Sequence, residues 1–291
     1  MANRRDFLRK TAVGFAAAAA GTRWPGMLSA SPYGKPIGLQ LYTLRNELQK
    51  DVAGTIKKVA EIGYKEVEIY DFYGKTAAEF AKILKDNGLT APSGHYMVKH
   101  IKGNWQKSIR EAKALGLKYM VNAILEPEEW QSFDDYKRLA ELFNKAGEAT
   151  HLAGIQFCYH NHNFEFKKYG DTTAYDYLLK ACDPKLVKFE MDCFWITHAG
   201  QDPVSYFKRY PGRFPLLHIK DLKAGNPPTQ ELDPRMGLFT EVGKGVINWK
   251  RIFAAAPKGG MVHFYVEQDE CEIPPLESIK ISYDYLKNLN V

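Results

Sequence analysis

Eight short runs between Ile37 and Glu267 read as strands, and they end in side chains able to hold a metal or move a proton. They finish on Gln40 with Tyr42, Glu68, His95, Asn122, His160 with His162, Glu190 with Asp192, His218 with Lys220 and Asp221, and Glu267 with Asp269. Side chains on a strand alternate with period two, so His160 and His162 share a face, as do Glu190 and Asp192, His218 and Lys220, and Glu267 and Asp269. Imidazole and carboxylate groups from four successive strands match the mixed nitrogen and oxygen donors that Zn, Mn, Fe or Co prefer. The competing reading for Asp192, His218 and Glu267 is a set of buried ion pairs. Burying several ionisable groups is costly without partners or a metal, and that cost favours a site. A lone imidazole such as His95 is more often a hydrogen-bonded structural residue, while His100, His151, His198 and His263 follow no strand-end pattern.

For these groups to converge, their strands must run side by side with their C-terminal ends together. The expected strands are Ile37 to Leu41, Glu66 to Tyr70, Ala91 to His95, Tyr119 to Asn122, Gln156 to Asn161, Val187 to Asp192, Leu216 to Lys220 and Val262 to Glu267. Helix-period segments alternate with them, among them Val52 to Ile62, Thr76 to Asn87, Tyr136 to Ala153 and Asn248 to Ala256. Gly63, Gly88, Gly116 and Gly154 each follow a helical run and precede a strand, where a glycine closes a helix in the left-handed conformation. Eight such repeats in about 260 residues fit a (β/α)8 TIM barrel, whose reactive residues sit at strand C-termini. A doubly wound sheet would carry a Gly-rich phosphate turn after its first strand, and Ile37 to Thr43 has none. The segment Pro274 to Val291, with Leu276, Ile279, Tyr283 and Leu286 at helical spacing, is expected to pack outside the barrel as helix 8. The long polar loop from Leu222 to Glu241 is expected to be a lid or substrate wall. Its Arg235 is either a solvated charge or a contact to substrate hydroxyls.

The composition is globular, 45% apolar and 25% charged over 291 residues, and no run of 18 apolar residues offers a membrane span. The first thirty residues read as a targeting segment: Arg4-Arg5-Asp6-Phe7-Leu8, then the uncharged run from Thr11 to Gly21, then the small residues Leu28-Ser29-Ala30. This pattern resembles a twin-arginine export signal and predicts a periplasmic protein, with residues 1–30 removed and 31–291 forming one catalytic barrel. The leader holds five of the 40 basic residues against one of the 34 acidic ones, which leaves 35 against 33 in the mature chain. That balance supplies no basic stripe for nucleic acid. The four cysteines, Cys158, Cys182, Cys193 and Cys271, form no Cys-x-x-Cys pair and read as buried thiols, with Cys158 to Cys193 an alternative bridge.

The strings Cys158-Tyr-His-Asn-His-Asn-Phe-Glu165, Met191-Asp-Cys-Phe-Trp195, Leu217-His-Ile-Lys-Asp221, Val242-Gly-Lys-Gly-Val-Ile-Asn-Trp249 and Tyr265-Val-Glu-Gln-Asp269 resemble the xylose-isomerase-like barrels, the sugar phosphate isomerases and epimerases. The resemblance spans nearly the whole mature chain. It implies one divalent metal ion (Mn, Zn, Co or Mg) held by groups from strands 5 to 8, with Asp192, His218 and Glu267 at the family's Asp, His and last Glu. His160 stands where the family has a glutamate. Imidazole still binds metal, but it is a poor substitute for one half of a two-carboxylate acid/base pair. Glu165, five residues on, or Glu190 is then expected to supply the missing carboxylate.

The implied chemistry is proton abstraction beside a sugar carbonyl, in which a cation stabilises the enediolate. His160, Asp192, His218 and Glu267 are the expected ligands. Glu267, His162 or Glu165 would move protons, and Lys220 would neutralise an oxyanion unless it is only a salt bridge to Asp221 or Glu190. Tyr42, Tyr96 and Trp195 offer faces for a sugar ring, and Glu68, His95, Glu190 and Asp269 complete the expected substrate contacts. Export and the lack of a phosphate turn point to an unphosphorylated sugar or keto-sugar. The expected activity is therefore a metal-dependent isomerase or epimerase. A 3-keto-glycoside lyase, cleaving by β-elimination on the same enolate, is the alternative, and a periplasmic sugar-binding protein without catalysis is the third reading. The expected partner is a small carbohydrate, with no nucleic acid, no stable membrane insertion and an oligomer left open.

Overall fold

A computed structural model describes residues 34–232 and 237–291. The export segment and Arg235 lie outside the described residues. Eight parallel strands close into a barrel in which each pairs with its neighbours in sequence and the last returns to the first. They are β1 Gly38–Gln40, β2 Glu66–Ile69, β3 Thr90–Tyr96, β4 Tyr119–Asn122, β5 Gln156–His160, β6 Val187–Asp192, β7 Leu216–Ile219 and β8 His263–Val266. Eight helices alternate with them: α1 Val52–Ile62, α2 Ala77–Asp86, α3 Trp105–Leu115, α4 Phe133–Leu152, α5 Ala174–Ala181, α6 Pro203–Arg209, α7 Trp249–Gly259 and α8 Pro275–Asn288. The (β/α)8 barrel is thus present, and α8 is the expected terminal helix.

Local chemistry sets the helix ends. The Asp51 carboxylate accepts the Gly54 N–H at the start of α1, and Thr76 with Glu79 forms a capping box at the start of α2. Gly116, after α3, takes φ +82°, which a side chain would strain.

Strand alternation sorts the side chains into two populations. Phe157, Tyr159, Phe189, Met191, Leu217 and Ile219 belong to the main core beneath the helices. Val121, Cys158, Leu216 and Tyr265 form a small separate apolar cluster inside the barrel, and below it His263 pairs with Glu66 at 2.7 Å. Inward positions further along β5, β6 and β7, namely His160, Glu190, Asp192 and His218, lie above that plug. All four cysteines are free thiols: Cys158 sits in the interior cluster and Cys193 in the outer core, so the alternative bridge is not formed.

The excursion after β7 is a structured wall. Asp221–Leu222 pairs antiparallel with Phe239–Thr240, and the Asn163 amide donates to the carbonyls of Thr229 (3.1 Å) and Glu231 (2.8 Å). The buried Asp221 carboxylate ties this excursion down by accepting from the N–H groups of Leu222, Gly243 and Ile247 and from Trp249 Nε1.

Candidate active site

A cavity of about 320 Å³ opens at the C-terminal mouth of the barrel. Its floor and sides carry His95, His160, His162, Lys220, Glu267, Asp269 and Glu270, and its upper wall carries Tyr42, Tyr70, Met97, Ile124, Trp195, Leu232 and Phe239. Strand register builds the floor: His160 lies beside Glu190, and Asp192 beside His218.

Ligand-type atoms of His160, Asp192, His218 and Glu267 all lie within 4.8 Å of one another. His160 Nε2 stands 3.3 Å from Asp192 Oδ2, and His218 Nδ1 stands 2.9 Å from Glu267 Oε2 and 3.8 Å from Asp192 Oδ2. The donor set fits a divalent ion. His160 Nε2 and Asp192 Oδ2 are buried without a hydrogen-bond partner, while His160 Nδ1 lies 2.9 Å from the Ala123 carbonyl. That carbonyl only accepts, so the proton sits on Nδ1 and the Nε2 lone pair faces the group. Two imidazoles and two carboxylates suit Zn, Mn or Co.

Lys220 enters the same group from above. Its ammonium lies 2.6 Å from Asp269, 2.8 Å from Glu267 and 3.3 Å from Asp192. Burial alone would discharge it, and these three carboxylates outweigh burial to hold it charged, well above the usual lysine range. Burial likewise opposes the charge on Asp192, and Lys220, His160 and His218 overcome it and hold the carboxyl well below its ordinary range. Asp269 is pushed up to about 6, by burial first and by the Glu267 charge. Burial, helped by His160 and Lys220, keeps His162 neutral, far below the usual imidazole range. Its Nδ1 is buried and unpaired, and its ring lies 5.2 Å from that of Trp195.

A second layer lies beneath. Glu68, His95, Glu190 and His218 bring their ligand-type atoms within 4.8 Å, and Glu68 and Glu190 have no exposed surface. His95 Nε2 is 2.8 Å from Glu190 and 3.1 Å from Glu68, and His218 Nε2 is 2.7 Å from Glu68. Burial and the nearby Glu68 charge push Glu190 up to about 7. Burial would lower His95, but Glu68 and Glu190 outweigh it and raise the imidazole to about 9.

The structure therefore brings Tyr42, His95, His160, His162, Trp195, Lys220, Glu267 and Asp269 to the cavity wall. It does not bring Glu68 or Glu190 there. Both side chains end one inward position deeper, under the imidazoles, so the expectation that they touch substrate is corrected, as is the use of Glu190 for the missing strand-5 carboxylate. Glu165 is also displaced. It sits in a short 3-10 turn, where its carboxylate accepts from the Tyr159 hydroxyl at 2.6 Å and the His162 N–H at 3.0 Å, on the outer side of the barrel wall. Burial there pushes its carboxyl up to about 7. Tyr96 packs outward against Trp105 at 5.5 Å, away from the cavity. Tyr70, Met97, Ile124, Leu232, Phe239 and Glu270 complete the wall from loops whose residue order carries no periodic signal.

Fold and floor together define a parallel (β/α)8 barrel with a candidate metal centre at its C-terminal mouth. Residues 56–289 match the model of the xylose isomerase-like TIM barrel, and the chain belongs to that family. It is similar to a sugar phosphate isomerase/epimerase from Parabacteroides distasonis, with 31% identity and a TM-score of 0.73 over 87% of this chain and 94% of that one. It is 28% identical over 265 residues to the inosose dehydratase of Mesomycoplasma hyopneumoniae (strain 7448), covering 80% of this chain and 87% of the relative. The fold is shared with the IolI protein, whose crystal structure holds a zinc atom, at 14% identity and a TM-score of 0.68 over 86% of this chain and 95% of that one.

Proposed function

We propose that this protein is a divalent-metal-dependent enzyme that removes a proton beside the carbonyl of an unphosphorylated keto-sugar or keto-cyclitol, and that the resulting enolate expels a substituent from its β carbon. The observation that carries this reading is the pair of buried atoms without a hydrogen bond, His160 Nε2 and Asp192 Oδ2, facing His218 and Glu267 directly below a cavity. A divalent ion held by these four residues would supply Lewis-acid stabilisation of a developing oxyanion.

The chain's own groups do the rest. His162 is the neutral base that takes the proton from carbon. Lys220 keeps its charge against Asp192, Glu267 and Asp269 and adds positive potential at the same oxyanion. As the carbonyl re-forms, a double bond forms between the α and β carbons, the β carbon–oxygen bond breaks, and the leaving oxygen takes a proton from the protonated form of Asp269, whose carboxyl is raised to about 6. Trp195, with its indole N–H buried and unpartnered, offers a face and a donor to a hydroxylated ring. Lys220 is the single Lys or Arg among the described lining residues, and three carboxylates already hold it, which favours an unphosphorylated substrate.

Elimination takes precedence over epimerisation because His160 replaces a carboxylate of the two-carboxylate pair, and because curated relatives carry a dehydratase name. Isomerisation or epimerisation is the second reading. It is favoured by proton-moving groups on two sides of the cavity, His162 after β5 and Glu267 with Asp269 after β8. The test is incubation of zinc- or manganese-loaded protein with keto-cyclitols and 3-keto-glycosides in deuterium oxide, read by NMR. Deuterium at the carbon next to the carbonyl with loss of the β substituent supports the lyase. Deuterium with inversion or carbonyl migration supports the isomerase, and no exchange with any keto-substrate sinks both. We also propose that the protein works in the periplasm, as its leader implies; a leader-reporter fusion that stays in the cytoplasm would overturn that.

A further inference from the structure

We infer that Glu68 is a positioning residue for the metal centre: it fixes His218 with its proton on Nε2, so that His218 meets a metal through Nδ1. This rests on the metal reading above and concerns the layer beneath it. Two four-residue groups share His218, and both are rich in ligand-type atoms. Their hydrogen bonding separates them.

Donor atoms around a tetrahedral zinc, each at about 2.0–2.1 Å, sit roughly 3.3 Å apart. In the upper group the measured separations are 2.9, 3.3 and 3.8 Å, and two atoms lack hydrogen bonds. In the deeper group two of the four nitrogen–oxygen contacts are 2.7 and 2.8 Å, which is hydrogen-bond length. In the upper group two facing ligand-type atoms, His160 Nε2 and Asp192 Oδ2, carry no hydrogen bond, while in the deeper group both imidazole Nε2 atoms are hydrogen-bonded to carboxylates.

The donors around Glu68 then assign the tautomer. Ser93 Oγ donates to Oε1 at 2.5 Å, and the Gln40 amide donates to Oε2 at 2.7 Å. The Glu68 carboxylate accepts only, so His218 Nε2, 2.7 Å from Oε2, must carry the proton. Nδ1 faces Asp192 and Glu267, 2.9 Å from the latter, and is therefore the nitrogen whose proton a metal would displace. His160 is set the opposite way by the Ala123 carbonyl, so the two ligand imidazoles present different nitrogens. A carboxylate behind a metal-bound imidazole also makes it more basic, and removing such partners typically lowers metal affinity 10- to 100-fold.

The test uses the full barrel labelled with nitrogen-15 histidine and loaded with zinc, together with Glu68→Gln, which preserves volume. The expected spectrum has His218 protonated on Nε2 and His160 on Nδ1, and Glu68→Gln is expected to weaken zinc 10- to 100-fold at unchanged stoichiometry. Zinc on Nε2 of His218, or an affinity within twofold of wild type in Glu68→Gln, overturns this inference alone. So does a second zinc that is lost in His95→Ala, which would make the deeper group a metal site. A wild-type protein that binds no zinc overturns both this inference and the metal reading. Should Glu68→Gln not fold, the wild-type imidazole spectrum still decides.

Discussion

Lys220→Met separates a metal centre from a self-sufficient ion-pair network, because the ammonium and the ion would draw on the same oxygens. Lys220 is 1% exposed and stands within 3.3 Å of Asp192, Glu267 and Asp269. Removing one partner from a buried charge group costs about 3–5 kcal/mol, since the remaining charges stay desolvated and unpaired. In metal-free protein the full cost is expected, a fall of roughly 6–10 °C in melting temperature at about 2 °C per kcal/mol for a barrel of this size. In metal-loaded protein, Asp192 and Glu267 are ligands and keep a cation beside them. Asp269, with its carboxyl already at about 6, takes up a proton. The loss should then shrink to half or less. The assay is thermal denaturation followed by circular dichroism, wild type against variant, with chelator and with saturating zinc or manganese. Saturation stabilises both proteins by mass action, so the informative quantity is the variant-minus-wild-type difference in each condition. Equal differences with and without metal would refute the shared-oxygen argument.

Three further outcomes are expected. His162→Gln should lower kcat by about 10²–10⁴ while metal content by elemental mass spectrometry stays at wild-type level; a variant that keeps full proton exchange removes His162 as the base. Glu165 has its carboxyl raised from 4.5 to about 7 in the folded state, so the fold holds a proton that the unfolded chain releases. Stability from this group is therefore greatest below pH 4.5 and falls by about 3 kcal/mol as pH rises to 7. Glu165→Gln should flatten that slope in denaturant titrations at pH 4.5 and 8, and an unchanged slope counts against the assignment. Asp221→Asn disturbs a carboxylate that accepts four hydrogen bonds at the base of the wall and should cost about 1–3 kcal/mol. It should also speed proteolysis between Leu222 and Glu241 and raise KM more than it lowers kcat; a wall as resistant as wild type would show that Asp221 does not anchor it.

The barrel and the convergence of His160, Asp192, His218 and Glu267 were readable because both depend on period-two alternation and on which residues end each strand. Depth was not. Glu190 and Asp192 share a face, yet at about 3.3 Å per residue they stand roughly 6–7 Å apart along the strand, enough to put one under the imidazoles and the other beside them. The same distinction removes Glu68 from the cavity, since its partners Gln40, Ser93 and His218 come from three other strands. Glu165 misled for a different reason: five residues from His160 in sequence, it folds back in a 3-10 turn onto the outward face of β5. The apolar half of the cavity, Leu232 and Phe239 above all, comes from a loop whose path is set by Asn163 and Asp221, contacts that no local pattern encodes.

Charge accounting at the barrel mouth joins these pieces. Glu68, Glu190, Asp192, Glu267 and Asp269 are five carboxylates at or below the cavity floor, and Lys220 is the cation placed among them. His95, raised to about 9, and His218, held well above the usual imidazole range by Glu190 and Glu267 despite burial, add two positive charges. His160, lowered to about 4 chiefly by burial, adds none. Carboxylates outnumber the cations among these groups, an excess of negative charge that a divalent ion would offset. If binding the ion costs His218 its proton, the remaining negative charge falls on Glu190, whose carboxyl already sits at about 7 and takes the proton up. On the metal reading, the deeper layer would act as the proton counterweight to the ion above it.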